Sequence, residues 1–259
     1  MKFLILLVSC YFTFPVDITA QEKKMPLPYS YIREADVIWS KRVWRTIDLQ
    51  EKANLSLHLP LQEDTKLSFF EVIKKGVSSG TIKAFDSDEF IKQLDSLSLQ
   101  RLLIKTNLIK VSEAGQSGEE LEFNKLVCDT LEEKDIVQYW VKEDWFFDKQ
   151  RSVMDVRILG ICPVRYDEGK DLFVPLFWIY YPASREWLNS FTALNAPDNS
   201  AELTYDGFFL NRKFTSFIRK ESNIYDRTID EYASGEDALL ESERIRNQML
   251  RFEHDMWQY

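Results

Sequence analysis

The chain has 259 residues, 45% of them hydrophobic, enough for one large core or two small ones. A formal net charge of −9 excludes a protein that draws its affinity from neutralising phosphates, and a general binder of anionic membranes. Eight glycines leave little room for a Gly-rich phosphate loop.

Residues 1–20 read as an export signal. Met1-Lys2 gives the basic start, Phe3 to Val8 the apolar centre, and Ile18-Thr19-Ala20 a cleavage site before Gln21. Ser9, Thr13, Pro15 and Asp17 interrupt the run, so it is too short to span a bilayer as a mature helix. Leu7-Val8-Ser9-Cys10 also has the form of a lipobox, which would make Cys10 a lipidated N-terminus. The apolar stretch before Cys10 is short for that, and a mature chain from Gln21 is the simpler expectation. Two cysteines then remain, Cys128 and Cys162. An exported compartment permits a bridge between them, but two cysteines are no disulfide scaffold, and lone cysteines are commonly small buried hydrophobes.

Residues 21–30 form a polar, Pro-containing leader, mobile or extended along a neighbour, and residues 31–259 are expected to form a single α+β domain. From Tyr31 to Asn54 the spacing predicts a helix, with Ile32, Ala35, Ile38, Trp39, Val43, Thr46, Leu49 and Ala53 on one face. Val37 and Trp44 fall on the opposite face and read as a narrow second seam for another element or subunit. Leu57 to Leu61 is extended. Leu67, Phe70, Ile73 and Val77 predict a second helix stopped by Gly80. Ile82 to Phe85 is extended, and a third helix capped by Ser87 or Asp88 runs to Lys105. Residues 112–120 (SEAGQSGEE) are the clearest linker and a possible subdivision of the domain.

Three aromatic-rich runs between Ile136 and Tyr181, separated by DKQRS and YDEGK, predict an antiparallel meander. Pro175 makes the last run an edge strand or delays its start. A helix over Ala183 to Leu194, the loop NAPDNS, a helix over Asp206 to Lys220 and a last helix opened by Ser234-Gly235-Glu236-Asp237 complete the chain. The fold class is α+β: a small antiparallel sheet packed with several amphipathic helices.

No catalytic, cofactor or metal site emerges. Gly76-Val77-Ser78-Ser79-Gly80 matches a nucleophile elbow, but that needs a strand before the serine and a helix after it, the reverse of the order here. His58 and His254 lie far apart and outside any zinc spacing. Asp86, Asp88 and Glu89 lack the glycine and distant glutamate of a calcium loop and are better explained by helix capping. Glu143, Asp144, Asp148 and Asp155 among tryptophans superficially suggest a glycosidase cleft, though acidic residues alternating along a strand are more often one solvated face.

What remains is surface for partners. The aromatic faces at Trp140, Trp145 and Phe147 must be covered by helices or by another protein. A basic stretch with Arg212 and Lys213, and an acidic one with Glu236 and Asp237, are either solvated faces or the two halves of a head-to-tail contact between protomers.

Four collinear segments carry a family resemblance: READVIWSKRVWRTIDLQEK (33–52), KEDWFFDKQRSVMDVR (142–157), VPLFWIYYP (174–182), and residues 220–257 beginning KESNIYDRTIDEY. Together they resemble the GldN/PorN family of Bacteroidetes. The resemblance implies a periplasmic ring component of the type IX secretion and gliding machinery, peripheral to the inner leaflet of the outer membrane. It implies a GldK/PorK-like lipoprotein partner, a GldM/PorM-like stalk of the motor, self-association within the ring, and no enzymatic site. Asp95-Ser96-Leu97 and Asp129-Thr130-Leu131 fit the O-glycosylation triplet of exported proteins of that phylum. The runner-up reading is a periplasmic carbohydrate-binding protein or glycoside hydrolase using Trp140, Trp145 and Trp178.

Overall fold

The computed structural model describes residues 25–58, 67–114, 120–193 and 203–256, with side chains described outside 106–128. The proposed signal, Cys10, most of the Leu57–Leu61 stretch and the NAPDNS loop lie outside the described residues. In chain order the elements are β1 (Val37–Asp48), α1 (Phe69–Ser78), β2 (Ala84–Phe85), α2 (Ser96–Leu102), β3 (Ile104–Ala114), β4 (Glu120–Thr130) and β5 (Ile136–Asp148). Then come β6 (Val153–Asp167), β7 (Leu172–Pro175), β8 (Trp178–Tyr180), α3 (Tyr181–Leu188), α4 (Tyr205–Leu210), β9 (Phe217–Glu221) and α5 (Glu236–Met256). A seven-stranded sheet has the order β2-β8-β6-β5-β1-β9, with β7 also pairing β6, and β3 and β4 form a separate two-stranded sheet. The fold is α+β.

The meander sits where the sequence places it, and its turns follow from side-chain chemistry. After β5, Asp148 accepts hydrogen bonds from Gln150 N (2.9 Å) and Arg151 Nε (2.6 Å), closing the turn into β6. After β6, Asp167 accepts from Gly169 N (3.2 Å). Pro175 ends β7, which among the described residues pairs with β6 alone, so the missing N–H falls at the end of a short strand, and β8 begins beyond it.

The helix expected over Tyr31–Asn54 is instead strand β1, paired with β5 along its whole length and with β9 near its end. Val, Ile, Trp and Thr favour a pleated, half-buried surface, and the last turns of β1 are buried on both faces, which blurs the alternation that marks a strand. Val37 and Trp44 therefore share no helical seam. The helix expected over Asp206–Lys220 stops at Leu210, and Phe217–Glu221 pairs with β1 as β9. The helix expected from Ser87 or Asp88 starts only at Ser96, and its cap is Asp95, which accepts from Ser98 N (3.3 Å). The helix expected over Ala183–Leu194 runs from Tyr181 to Leu188. Of the expected linker 112–120, Ser112, Glu113 and Ala114 belong to β3 and Glu120 opens β4, with Ala114 paired to Glu120; residues 115–119 lie outside the described residues.

The sheet separates two unequal layers. On one face α1, α3 and α4 bury Phe69, Phe70, Ile73, Tyr181, Tyr205 and Phe209 against Tyr139 and Val141 of β5. Ser68 caps α1 through a reciprocal box with Glu71, and Gly80 follows the helix at φ +74°, a conformation costly for other residues. Further along the same face, α5 lays Ile245 and Met249 against Val43 and Ile218, and Phe252 stacks on Trp39 at 4.9 Å. On the other face, the turn after β2 drives Phe90 over Gly160, where an added Cβ would lie 2.4 Å from the ring. Leader residue Tyr29 packs on this chain's own core, its ring 4.7 Å from the Arg185 guanidinium.

The α3–α4 contact is held by a buried ion pair. Arg185 donates from Nε (2.8 Å) and Nη2 (3.0 Å) to Asp206, which also accepts from the Tyr181 hydroxyl (2.8 Å). Removing one partner strands the other charge in the core. Asp206→Ala should therefore lower unfolding free energy by about 3–5 kcal/mol in urea titration, whereas Asp36→Ala, removing the partner of the exposed Arg33, should cost under about 1 kcal/mol.

Candidate functional site

The centre of β5 carries two adjacent buried charges that point to opposite faces of the sheet. Lys142 donates from Nζ to the Asp88 carboxylate (3.0 Å) and to the Asp88 carbonyl (2.6 Å). Asp88 accepts a third bond from Trp44 Nε1 (2.8 Å). Burial alone would raise the Asp88 carboxyl, but Lys142 and Trp44, aided by the Lys220 charge, outweigh it and hold it below the usual carboxylate range. On the other face, fully buried Glu143 accepts from Arg212 Nη1 (2.8 Å), Arg212 Nη2 (3.3 Å) and Trp145 Nε1 (2.9 Å).

This geometry places the predicted surface residues. Trp44 is half-buried, hydrogen-bonded to Asp88, with the Lys220 ammonium 4.5 Å from its ring centroid. Trp140 carries the Arg219 guanidinium 3.6 Å above its ring. Trp145 and Arg212 are joined to each other through Glu143, and Phe147 is buried against Phe252. Val37 lines an open groove at the start of β1. Lys213, Glu236 and Asp237 are exposed. Arg212 precedes β9 rather than lying on a helix, and its charge is met inside the chain. Asp88, expected as a helix cap, is instead the anchor of the turn over the sheet; its contacts with Lys142 and Trp44 leave no local sequence signal.

Trp140 and Trp178 lie together on one face with Trp44, around a cavity of about 190 Å³, while Trp145 is on the opposite face. The four carboxylates of the imagined cleft are each paired: Glu143 with Arg212, Asp144 with Arg42 (2.6 Å), and both Asp148 (2.6 Å) and Asp155 (2.8 Å) with Arg151. No two of them face one another across a tryptophan-lined pocket. Ser78 is the last residue of α1, so the GVSSG sequence is a helix end. Among the described residues, no group of three His, Cys, Asp or Glu side chains is placed to hold a metal ion. Cys162 is a free, buried thiol whose ionisation burial disfavours, and the Cys128 side chain lies outside those described. Ser96 and Thr130, the hydroxyls of the two triplets, are exposed. No helix among the described residues is long and apolar enough to cross a membrane.

One carboxyl outside this centre titrates well above the ordinary carboxylate range. Burial, reinforced by the Glu71 carboxylate and opposed by the Ser68 hydroxyl, pushes Glu133 up to about 7. Its Oε1 lies 3.8 Å from His58 Nδ1, whose protonation burial disfavours. The folded chain thus keeps a Glu133 proton that the unfolded chain releases. The resulting stability is present below about pH 4.5 and is lost as pH rises through about 7. Glu133→Gln, which stays neutral, should match the parent's melting temperature near pH 4.5 and exceed it at pH 8. Parallel melting profiles of the two proteins across that range would show that Glu133 titrates normally.

Two comparisons bear on what this arrangement belongs to. Among curated proteins, none matches the chain. The family described as Gliding motility associated protein GldN matches residues 32–258, from the leader's end through β1, the meander and α5. The chain belongs to the GldN family of gliding motility associated proteins.

Proposed function

We propose that this chain is a non-enzymatic structural subunit of a periplasmic, outer-membrane-associated ring of the type IX protein secretion system, supporting protein export and/or gliding motility. The observation that carries the reading is the GldN match over residues 32–258. The chemistry of the centre supports it. Acid–base catalysis needs a carboxyl or imidazole within reach of a substrate proton. Here the carboxylates of β5 are consumed by arginines, and Lys142 by Asp88. Such groups fix a surface; they do not turn over a ligand.

In this reading the partners are a GldK/PorK-like lipoprotein and a GldM/PorM-like periplasmic stalk, with further copies of this chain in the ring. The exposed acidic start of α5 at Glu236 and Asp237, and exposed Lys213, are among the surface charges open to contacts between subunits. Arg212 is unsuitable as a probe, because reversing it would strand Glu143 in the core.

Affinity purification from native envelopes, with mass spectrometry and negative-stain imaging, tests the reading. The expected result is large particles containing a lipoprotein and no glycan turnover. Lys213→Glu should shift those particles to smaller size at low salt while leaving the melting temperature unchanged. A monomer that lacks a lipoprotein companion and hydrolyses a glycan would overturn it.

A further inference from the structure

The smaller core has an opening that the chain leaves unfilled. Ile218 of β9 and Ile229 are buried in the cluster that α5 closes with Ile245 and Met249. These two isoleucines also line a cavity of about 190 Å³, with Arg219, Asp230, Ala238 and Leu239 around it. A cavity of ~150 Å³ takes up a benzene, so this one has room for a single leucine-sized side chain and not for a globular surface.

The walls are fixed before anything enters. The turn Ile229–Glu231 is closed by its own side chains: Glu231 Oε1 accepts from Thr228 N (3.4 Å) and Thr228 Oγ1 (3.2 Å). Ile218 N donates to Ser242 Oγ (2.7 Å), tying β9 to α5 one helical turn beyond Ala238. Gly235, at φ +57°, also lines the cavity, and a Cβ added there would meet nothing within 4 Å. That side of the mouth is open. Leu239 is 52% exposed although it lines the cavity, so half of its surface is left for an occupant.

The rim selects by charge. Asp230 is 64% exposed and meets Arg219 Nε only at 3.5 Å, while the Arg219 guanidinium lies 3.6 Å above the Trp140 ring. Glu236 and Asp237, the first two residues of α5, are exposed and make no ion pair among the described residues. Their two full charges outweigh the partial positive charge of the helix start, about half a unit. An apolar socket with three carboxylates and one cation at its border repels an acidic segment and draws a basic one. A second copy of this chain, also at −9, adds repulsion of its own, which favours a different and basic polypeptide.

We propose that the socket between β9, the Ile229–Glu231 turn and the start of α5 receives one apolar side chain of a partner polypeptide, whose flanking lysines or arginines meet Asp230, Glu236 and Asp237. An apolar anchor in a pocket with charges at the rim is how interfaces concentrate their binding energy. The proposal rests on the assembly reading and gives it a point of attachment.

The test is fluorescence anisotropy of the full chain with labelled nonapeptides. One alternates Lys and Ser around a central Leu, a second has a central Ala, and a third keeps Leu but has Glu for every Lys. The first should bind, the Ala peptide about tenfold more weakly and the Glu peptide more weakly still. Ala238→Leu, which fills the socket from its wall, should bring the Leu and Ala peptides to the same affinity. Leu239→Ala, which removes part of the wall, should weaken the Leu peptide alone. Glu236→Gln combined with Asp237→Asn should cost several-fold and flatten the salt dependence, whereas Glu168→Gln, exposed on the β6–β7 turn, should change nothing. Circular dichroism and melting temperature check that each variant folds. Equal affinity of the parent for the Leu and Ala peptides, equal affinity for the Glu peptide, or no binding at millimolar concentration would each overturn the proposal. So would oligomers of this chain alone that Ala238→Leu dissolves in sedimentation, which would give the socket to a second copy. Because particle size in native envelopes is read separately, such a failure rejects the socket without touching the subunit role.

Discussion

The structure depends on two neighbouring charges at the middle of β5. Lys142 and Glu143 are consecutive, so the pleat sends them to opposite faces of the sheet, and both are buried. A buried charge without a partner is costly, so each face must bring one. Asp88 arrives on one side, carried by the turn whose next residues place Phe90 on Gly160, with φ +58° at Phe90. Arg212 arrives on the other, itself at φ +49°, just before β9 joins the sheet. The left-handed conformations at Phe90 and Arg212 are the local cost of satisfying that pair of charges.

From this constraint the rest of the surface follows. The tryptophans that seem available in sequence are drawn inward by the same charges: Trp44 donates to Asp88 and Trp145 to Glu143. Arg219 and Lys220 of β9 then cover the half-buried rings of Trp140 and Trp44, placing three cationic side chains, with Lys142, around two indoles. An aromatic-rich, charge-rich block that resembles a binding cleft is thus the internal fastening of a sheet.

The legible parts of the fold were those fixed by local chemistry. The meander was readable because its aromatic-rich runs are separated by DKQRS and YDEGK, whose Asp148 and Asp167 close the turns, and α1 because Leu67, Phe70, Ile73 and Val77 form one stripe ended by Gly80. Strand β1 was not, because Ile32, Ile38, Trp39, Val43 and Thr46 fall at helical spacing by coincidence while its partner β5 lies about a hundred residues away. Strand β9 was hidden in the same way by Phe214, Phe217 and Ile218, and only pairing with β1 makes it extended. At the site, Trp44 and Arg212 stood out as residue types, but their partners Asp88 and Glu143 are 44 and 69 residues distant, and nothing in the spacing links them.

The central claim is that the Arg212–Glu143 contact holds the fold and is not spare charge awaiting a partner. A double-mutant cycle with Arg212→Met and Glu143→Gln, read by urea unfolding, measures it most directly. The account predicts a coupling above about 1 kcal/mol, with the double variant more stable than the sum of the single losses implies. Additive losses would contradict it, returning Arg212 to the surface as a free cation.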